Sequence, residues 1–258
     1  MNYPSLQDLL GAGAHFGHTE GRWHPKAAPY IHGARSGIHI INLEQTLVRL
    51  QEVMPLITQH VAAGKTIMFV GTKRQAAPLV KKYAESCGMP YVTTRWLGGM
   101  ITNFDSMRAM LDHYRKMLSD KEQNVWEKFT KKERVVLEKA LEKKDKVLGG
   151  LRAIRRMPDM LFIVDVRHEK TALTEARSRK VPVIAMADTN INPEHITHAI
   201  PGNDDAVKSI ELFCSVVAQA VNEGMAQRAQ VTEKTESAEN KGTPSAPKAT
   251  KEVVAASV

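Results

Sequence analysis

Apolar positions along the chain follow two alternating periods. Short continuous runs predict five buried strands, at Ile38–Ile41, Thr66–Val70, Tyr91–Thr93, Leu161–Asp165 and Val183–Ala187. Helical spacing fills the intervals, at Ser5–Leu10, Leu43–Ala63, Gln75–Cys87, Glu169–Lys180 and Val207–Gln227. In the second of these helices Leu47, Leu50, Met54 and Ile57 share a face, and Pro55 predicts a kink or a boundary. Strands alternating with helices predict a parallel sheet covered on both sides, a three-layer, doubly wound α/β domain. The stretch Ala14–Gly37 is punctuated by glycines and prolines and predicts an irregular loop, as does the segment holding Pro193 and Pro201.

One stretch departs from the alternation. Met107, Met110, Leu111, Tyr114, Met117 and Leu118 form one helical series, and Leu137, Ala140, Leu141, Leu148 and Leu151 form another. Between them Thr130-Lys131-Lys132-Glu133 has the form of a capping box. Residues 105–157 therefore predict an inserted antiparallel helical hairpin, a coiled-coil arm, weakened at Gly149-Gly150 and ended by Pro158. The core domain is expected over 1–104 and 158–228. From Thr232 large apolar residues almost vanish, and residues 229–258 are expected to form a disordered tail.

Charge changes this picture. The arm holds 15 lysines and arginines against 9 acidic residues, and so supplies +6 of the chain's formal +8. Residues 1–104 carry +5, whereas 158–230 carry −3. A basic two-helix projection suits the grip of a polyanion, and it equally suits a solvated coiled coil. No apolar run approaches the ~20 residues of a spanning helix, and Met1–Leu10 lacks the make-up of a secretory leader. Cys87 and Cys214 form no paired framework and read as small buried apolar groups of a reducing, cytoplasmic setting.

Nucleotide motifs are missing. Gly64-Lys65-Thr66 has the ending of a P-loop, but Gln59 stands where that motif needs glycine, and the triplet precedes a strand. No Gly-x-Gly-x-x-Gly follows a strand and no Gly-x-Ser-x-Gly elbow is present. His15 and His18, with Asp165, Asp188, Asp204 and Asp205, are of the donor types that hold a divalent cation such as Mg or Zn; turn and helix capping accounts for them as well. For nucleic acid there are more candidates. Arg22-Trp23 and Arg95-Trp96 pair a guanidinium with a large ring in loops, and Lys26 follows the first pair. Lys73 and Arg74 open a helix at a strand end, where backbone N–H groups favour phosphate. In the arm the candidates are Arg108, Arg115, Lys116, Lys131, Lys132, Arg152, Arg155 and Arg156.

Several blocks together resemble the family of bacterial small-subunit ribosomal protein number two. They are Gly13–His18, Trp23–Lys26, Ile38–Ile41, Phe69–Ala76, Arg95–Phe104, Asp188–Asn190 and Ile200–Ala206, in the family's order over about 1–227. The resemblance implies a flavodoxin-like sheet of about five strands with the helical insertion. It implies a non-catalytic, structural role, binding small-subunit rRNA between head and body. It also implies contact with the large OB-fold-repeat protein that captures messenger RNA, with neither membrane nor small-molecule substrate. Two departures are visible: Thr197 stands where the family usually has Asp, and Thr171–Ala176 varies its Ala-rich segment. On the residues alone, two other readings stay open. One is a cytosolic enzyme using strand-end carboxylates with a metal or phosphorylated ligand; the other is a coiled-coil adaptor that binds only proteins.

Overall fold

The structure, a computed structural model, describes residues 3–239. Its centre is a five-stranded, wholly parallel sheet. The strands are β4 (Ile67–Val70), β5 (Tyr91–Val92), β6 (Met160–Ile163), β7 (Val183–Ala187) and β8 (His198–Pro201), in the order β5-β4-β6-β7-β8. This is the flavodoxin-like doubly wound order, whose topological switch lies between β4 and β6. β4, β6 and β7 are buried at every position, which explains their continuous apolar sequences.

Five parallel strands were expected, and one differs in identity. Ile38–Ile41 belongs to a separate antiparallel sheet and is only partly buried. There it is β3, paired with β1 (Phe16–Thr19) and β2 (Ile31–Arg35). The expected loop Ala14–Gly37 thus contains two strands, both irregular in register and held by pairing with β3 rather than by local propensity. The parallel sheet takes β8 in its place, from a segment read as loop; Pro201 closes that strand, where a missing N–H is tolerated.

Helices cover both faces. α2 (Leu43–Ala62), α3 (Ala77–Ser86) and α7 (Val207–Glu239) pack against Ile67, Phe69, Phe162 and Met186. α2 runs through Pro55 without ending, and α7 continues past the expected end at Gln227. Residues 228–239 include three Glu and two Ala and hold neither Gly nor Pro, so no strong breaker stops the helix. The remainder of the expected disordered tail, from 240, lies outside the described residues.

The opposite face carries α6 (Lys170–Ser178) and the basic hairpin, α4 (Phe104–Glu122) and α5 (Lys131–Leu148). The hairpin is not foreign to the strand–helix alternation: it is the enlarged crossover from β5 to β6. Met107, Leu111, Tyr114, Leu148 and Leu151 share one core with Met68, Val70, Leu161 and Ile163. The capping box Thr130–Glu133 starts α5, and Trp126, buried in the turn between the two helices, closes the far end of their shared core. α5 ends at Leu148 rather than at Pro158, because Gly149–Leu151 tightens into a 3₁₀ turn beside β5. A Cβ on Gly150 would overlap the Tyr91 carbonyl oxygen and ring, so the hairpin root and the sheet edge approach as only glycine permits. Gly150→Ala should destabilise the fold by about 1–3 kcal/mol, read as a lower urea midpoint at unchanged slope.

Candidate functional site

The carboxyl ends of the parallel strands, where ligands of such sheets gather, are roofed by the small antiparallel sheet. Thr189, just beyond β7, makes the joint. Its hydroxyl accepts from His18 N at 2.9 Å, its carbonyl accepts from His24 N at 2.8 Å, and a Cβ on Gly17 would lie 2.7 Å from its methyl group. Asn203 ties the other side, donating from its side chain to Gly13 O at 3.1 Å and from its backbone to Ala14 O at 3.1 Å.

Beneath this roof the switch point is filled from within. Lys73, directly after β4, places Nζ 2.9 Å from Asp165 Oδ2 and 2.5 Å from Asp205 Oδ1, and donates to Asp204 O at 3.0 Å. Burial disfavours its charge, but the bonds to Asp205 and Asp165 outweigh that and raise its pKa well above the ordinary lysine range. Thr72 adds N–H and hydroxyl bonds to the buried Glu169 at 2.7 and 2.5 Å. Asp165 adopts φ +61°, a left-handed conformation that lets its carboxylate accept from His168 N while reaching Lys73. Lys73 is thus an internal counter-ion, and the expected phosphate ligand at this strand end is withdrawn: carboxylates of Asp165, Glu169, Asp188, Asp204 and Asp205 surround the place a phosphate would take.

The cation donors converge in part. Ligand atoms of His18, Asp188, Asp204 and Asp205 lie within 4.8 Å of one another. His18 Nδ1 is 3.0 Å from Asp188 Oδ1, and its Nε2 is 3.4 Å from Asp205 Oδ2. The hydrogen bond to Asp188 leads in raising the His18 pKa. Burial first, then the charges of Asp165 and Asp188, push the Asp204 carboxyl up to about 8, with Lys73 acting the other way. Asp188 Oδ2 and both Asp204 carboxylate oxygens are buried without a hydrogen-bond partner. His15 is not part of the group; its Nδ1 is buried and unbonded, and its ring lies against Phe16 at 4.0 Å. A spacing of three on extended chain turns His15 and His18 to opposite faces. Thr197 does not bear on the cluster either. Its hydroxyl accepts from Val183 N, at the end of β7 remote from Asp188.

The basic candidates divide into two groups. Trp96 is buried, with Nε1 donating to Glu175 Oε1 at 3.1 Å, so its ring is unavailable to a base. Arg115 donates to the carbonyls of Arg152 and Ile154 and pairs with Asp112, fastening the hairpin root. Lys26 pairs with Glu194, Arg152 with Glu122, and Arg156 bonds Gly64 O and faces Asp159. By contrast Arg22, Arg74, Arg95, Arg108, Lys116, Lys131, Lys132 and Arg155 are exposed and have no ion-pair partner among the described residues. Trp23 is 40% exposed, its ring 5.3 Å from that of His39.

Glu175 escapes a reading of sequence alone. Its carboxylate accepts from the Trp96 indole, the backbone N–H groups of Gly99, Ile101 and Thr102, and the Thr102 hydroxyl, at 2.8–3.1 Å. A signal was available: an acid stands three residues after Ala172 and one before Ala176, on the apolar face of α6.

Fold and site together define a doubly wound scaffold whose ligand pole is plugged by its own side chains and whose net charge is positive. A family model described as Ribosomal protein S2 matches residues 9–224. Among curated proteins, the small ribosomal subunit protein uS2 of Saccharophagus degradans is 44% identical over 237 residues, covering 92% of this chain and 96% of that protein. Proteins of the same name from Campylobacter jejuni and Campylobacter lari are each 46% identical over 226 residues, covering 88% of this chain. The chain belongs to the Ribosomal protein S2 family, whose members are structural proteins and not enzymes.

Glu175 gives a test of local architecture. Burial raises its pKa, but the N–H bonds from Ile101, Thr102 and Gly99 outweigh this and hold it below 4.5. A depressed folded-state pKa means stability present above the unfolded value and lost as pH falls through the folded one. Glu175→Gln should cost about 2–3 kcal/mol near neutrality, and the gap between wild type and variant in urea midpoint should narrow as pH falls below the ordinary glutamate pKa.

Proposed function

We propose that this protein is a structural constituent of the small ribosomal subunit in the bacterial cytoplasm, seated between head and body through contacts to folded rRNA. The observation that carries the reading is the group of exposed, unpaired cations on the hairpin, Arg108, Lys116, Lys131 and Lys132, on an arm of net charge +6. Unpaired lysines and arginines on a rigid projection bind phosphates by counterion release and read the shape of RNA more than its sequence. Arg22, Arg74, Arg95 and Trp23 are exposed on the body and add cations and a ring to the reading. The names of the relatives, small ribosomal subunit proteins, support the location. On the strength of the family resemblance, the reading includes recruitment of the large OB-fold-repeat protein that captures messenger RNA.

The test is the salt dependence of binding to a small-subunit rRNA fragment. Replacing Lys131 and Lys132 by Ala should flatten the log–log slope by roughly 0.7 per lost phosphate contact. An unchanged slope with unchanged affinity removes the hairpin tip from the interface.

The reading also includes a structural divalent cation held by His18, Asp188, Asp204 and Asp205. The buried oxygens Asp188 Oδ2 and Asp204 Oδ2, which have neither a hydrogen bond nor an ion pair among the described residues, support it, since burial of unpaired acceptors is costly unless a cation meets them. A nitrogen and several carboxylate oxygens suit Zn or Mg. Added Zn or Mg should raise the melting temperature of wild type after chelator treatment and leave Asp204→Asn unmoved. Equal response of both proteins would place any bound ion elsewhere.

A further inference from the structure

The parallel sheet has a second pole. At the amino ends of β5, β4 and β6 a cleft of about 370 Å³ opens between the hairpin root and α7, within the range of small-ligand sites, roughly 300–1,000 Å³. Its apolar lining includes Met89, Pro90, Ile154 and Met225, of which Met225 is 44% exposed. Around it stand Lys65, Arg155, Arg156 and Arg228, drawn from three separate parts of the chain. Two guanidinium groups converge on Gly64. Arg156 Nη2 donates to its carbonyl at 2.6 Å, and a Cβ there would lie 3.4 Å from Arg228 Cζ. Gly64 has φ +76°, a left-handed conformation that favours glycine at this turn. Asp159 lies 3.4 Å from Arg156, and Lys65 and Arg155 have no ion-pair partner among the described residues.

We infer that this cleft receives a single extruded nucleotide of folded RNA, its base on the apolar lining and its phosphate against Lys65 and Arg155. The chemistry is complementary on both counts. A nucleotide is an apolar-faced ring bearing a phosphate, and unstacked RNA bases are held by stacking on flat or apolar side chains, arginine planes included. The carboxyl-end pole offers the reverse: its open positions face carboxylates. Phosphate recognition in this scaffold has therefore moved to the opposite end of the sheet from the one such folds ordinarily use. The inference rests on the RNA-binding reading above and names a site within it.

The experiment uses the full chain, labelled with ¹⁵N, titrated with adenosine 5′-monophosphate, uridine 5′-monophosphate and inorganic phosphate. Saturable amide shifts are expected at residues 64–66, 88–89 and 153–156, with inorganic phosphate binding at least roughly tenfold more weakly than either nucleotide. Lys65→Ala with Arg155→Ala, both exposed positions, should lose the nucleotide shifts while keeping the wild-type melting temperature. Absence of saturable shifts at about 10 mM nucleotide overturns the inference. So does phosphate binding as tightly as nucleotide, or a double variant that binds as wild type does. Parallel titration with the rRNA fragment separates the two readings: rRNA binding without nucleotide binding sinks the cleft alone, and nucleotide binding without rRNA binding sinks the ribosomal reading alone.

Discussion

The carboxylate of Glu175 is the fastening on which the rest of the molecule depends. It gathers the indole of Trp96, three backbone N–H groups of the Gly99–Thr102 turn and a hydroxyl into one charged hydrogen-bond centre, largely shielded from water. Charge-assisted bonds of this kind are about twice as strong as neutral ones. The turn they hold is the one from which α4 departs, so the direction of the hairpin is set on α6, an element from the other half of the chain. Arg179 adds a bond to Thr102 O at 2.5 Å, from the end of the same helix. Without this centre, the Trp96 indole would lose the acceptor of its N–H and the hairpin would lose its defined point of departure.

The two poles of the parallel sheet divide the chemistry between them. At the carboxyl ends, Lys73 neutralises part of a carboxylate cluster and the antiparallel sheet closes over it through Thr189 and Asn203. This is the position at which a doubly wound sheet ordinarily meets its ligand. Here it has become an internal joint that binds the N-terminal sheet to the body. Positive charge appears instead on the hairpin and at the amino ends of the strands. The enlarged crossover serves both purposes, since its inner face completes the sheet's core and its outer face carries the cations.

Much of this was legible in the sequence wherever burial was continuous or periodic. β4, β6 and β7 show as unbroken apolar runs, and the hairpin shows as two helical series joined by a capping box. The failures have a shared cause, dependence on distant partners. β1 and β2 are strands only because β3 pairs with them, and β8 is a strand only because β7 offers an edge. Strand order is likewise not local, since it follows from which crossover passes over β4. At the site, residue types pointed to the right neighbourhood but not to the partners. Lys73 reads as a phosphate ligand until three acidic residues converge on it, and Trp96 reads as a stacking platform until its indole is found bonded to Glu175. Of the metal-type residues, His15 and Asp165 stay outside the group: His15 directly precedes β1, whose alternation turns it away from His18, and Asp165 pairs with Lys73.

The fastening of Arg115 to the carbonyls of Arg152 and Ile154 has a mechanical consequence. α5 has 18 residues, so at 1.5 Å per residue the hairpin reaches about 27 Å from its root. A rod of that length multiplies any slackness at its base: a swing of about five degrees carries the far end by roughly 2 Å, several times the tolerance of a hydrogen bond. The clamp on Arg115 and the absence of a side chain at Gly150 keep that base tight, and so determine how accurately lysines at the far end can be aimed.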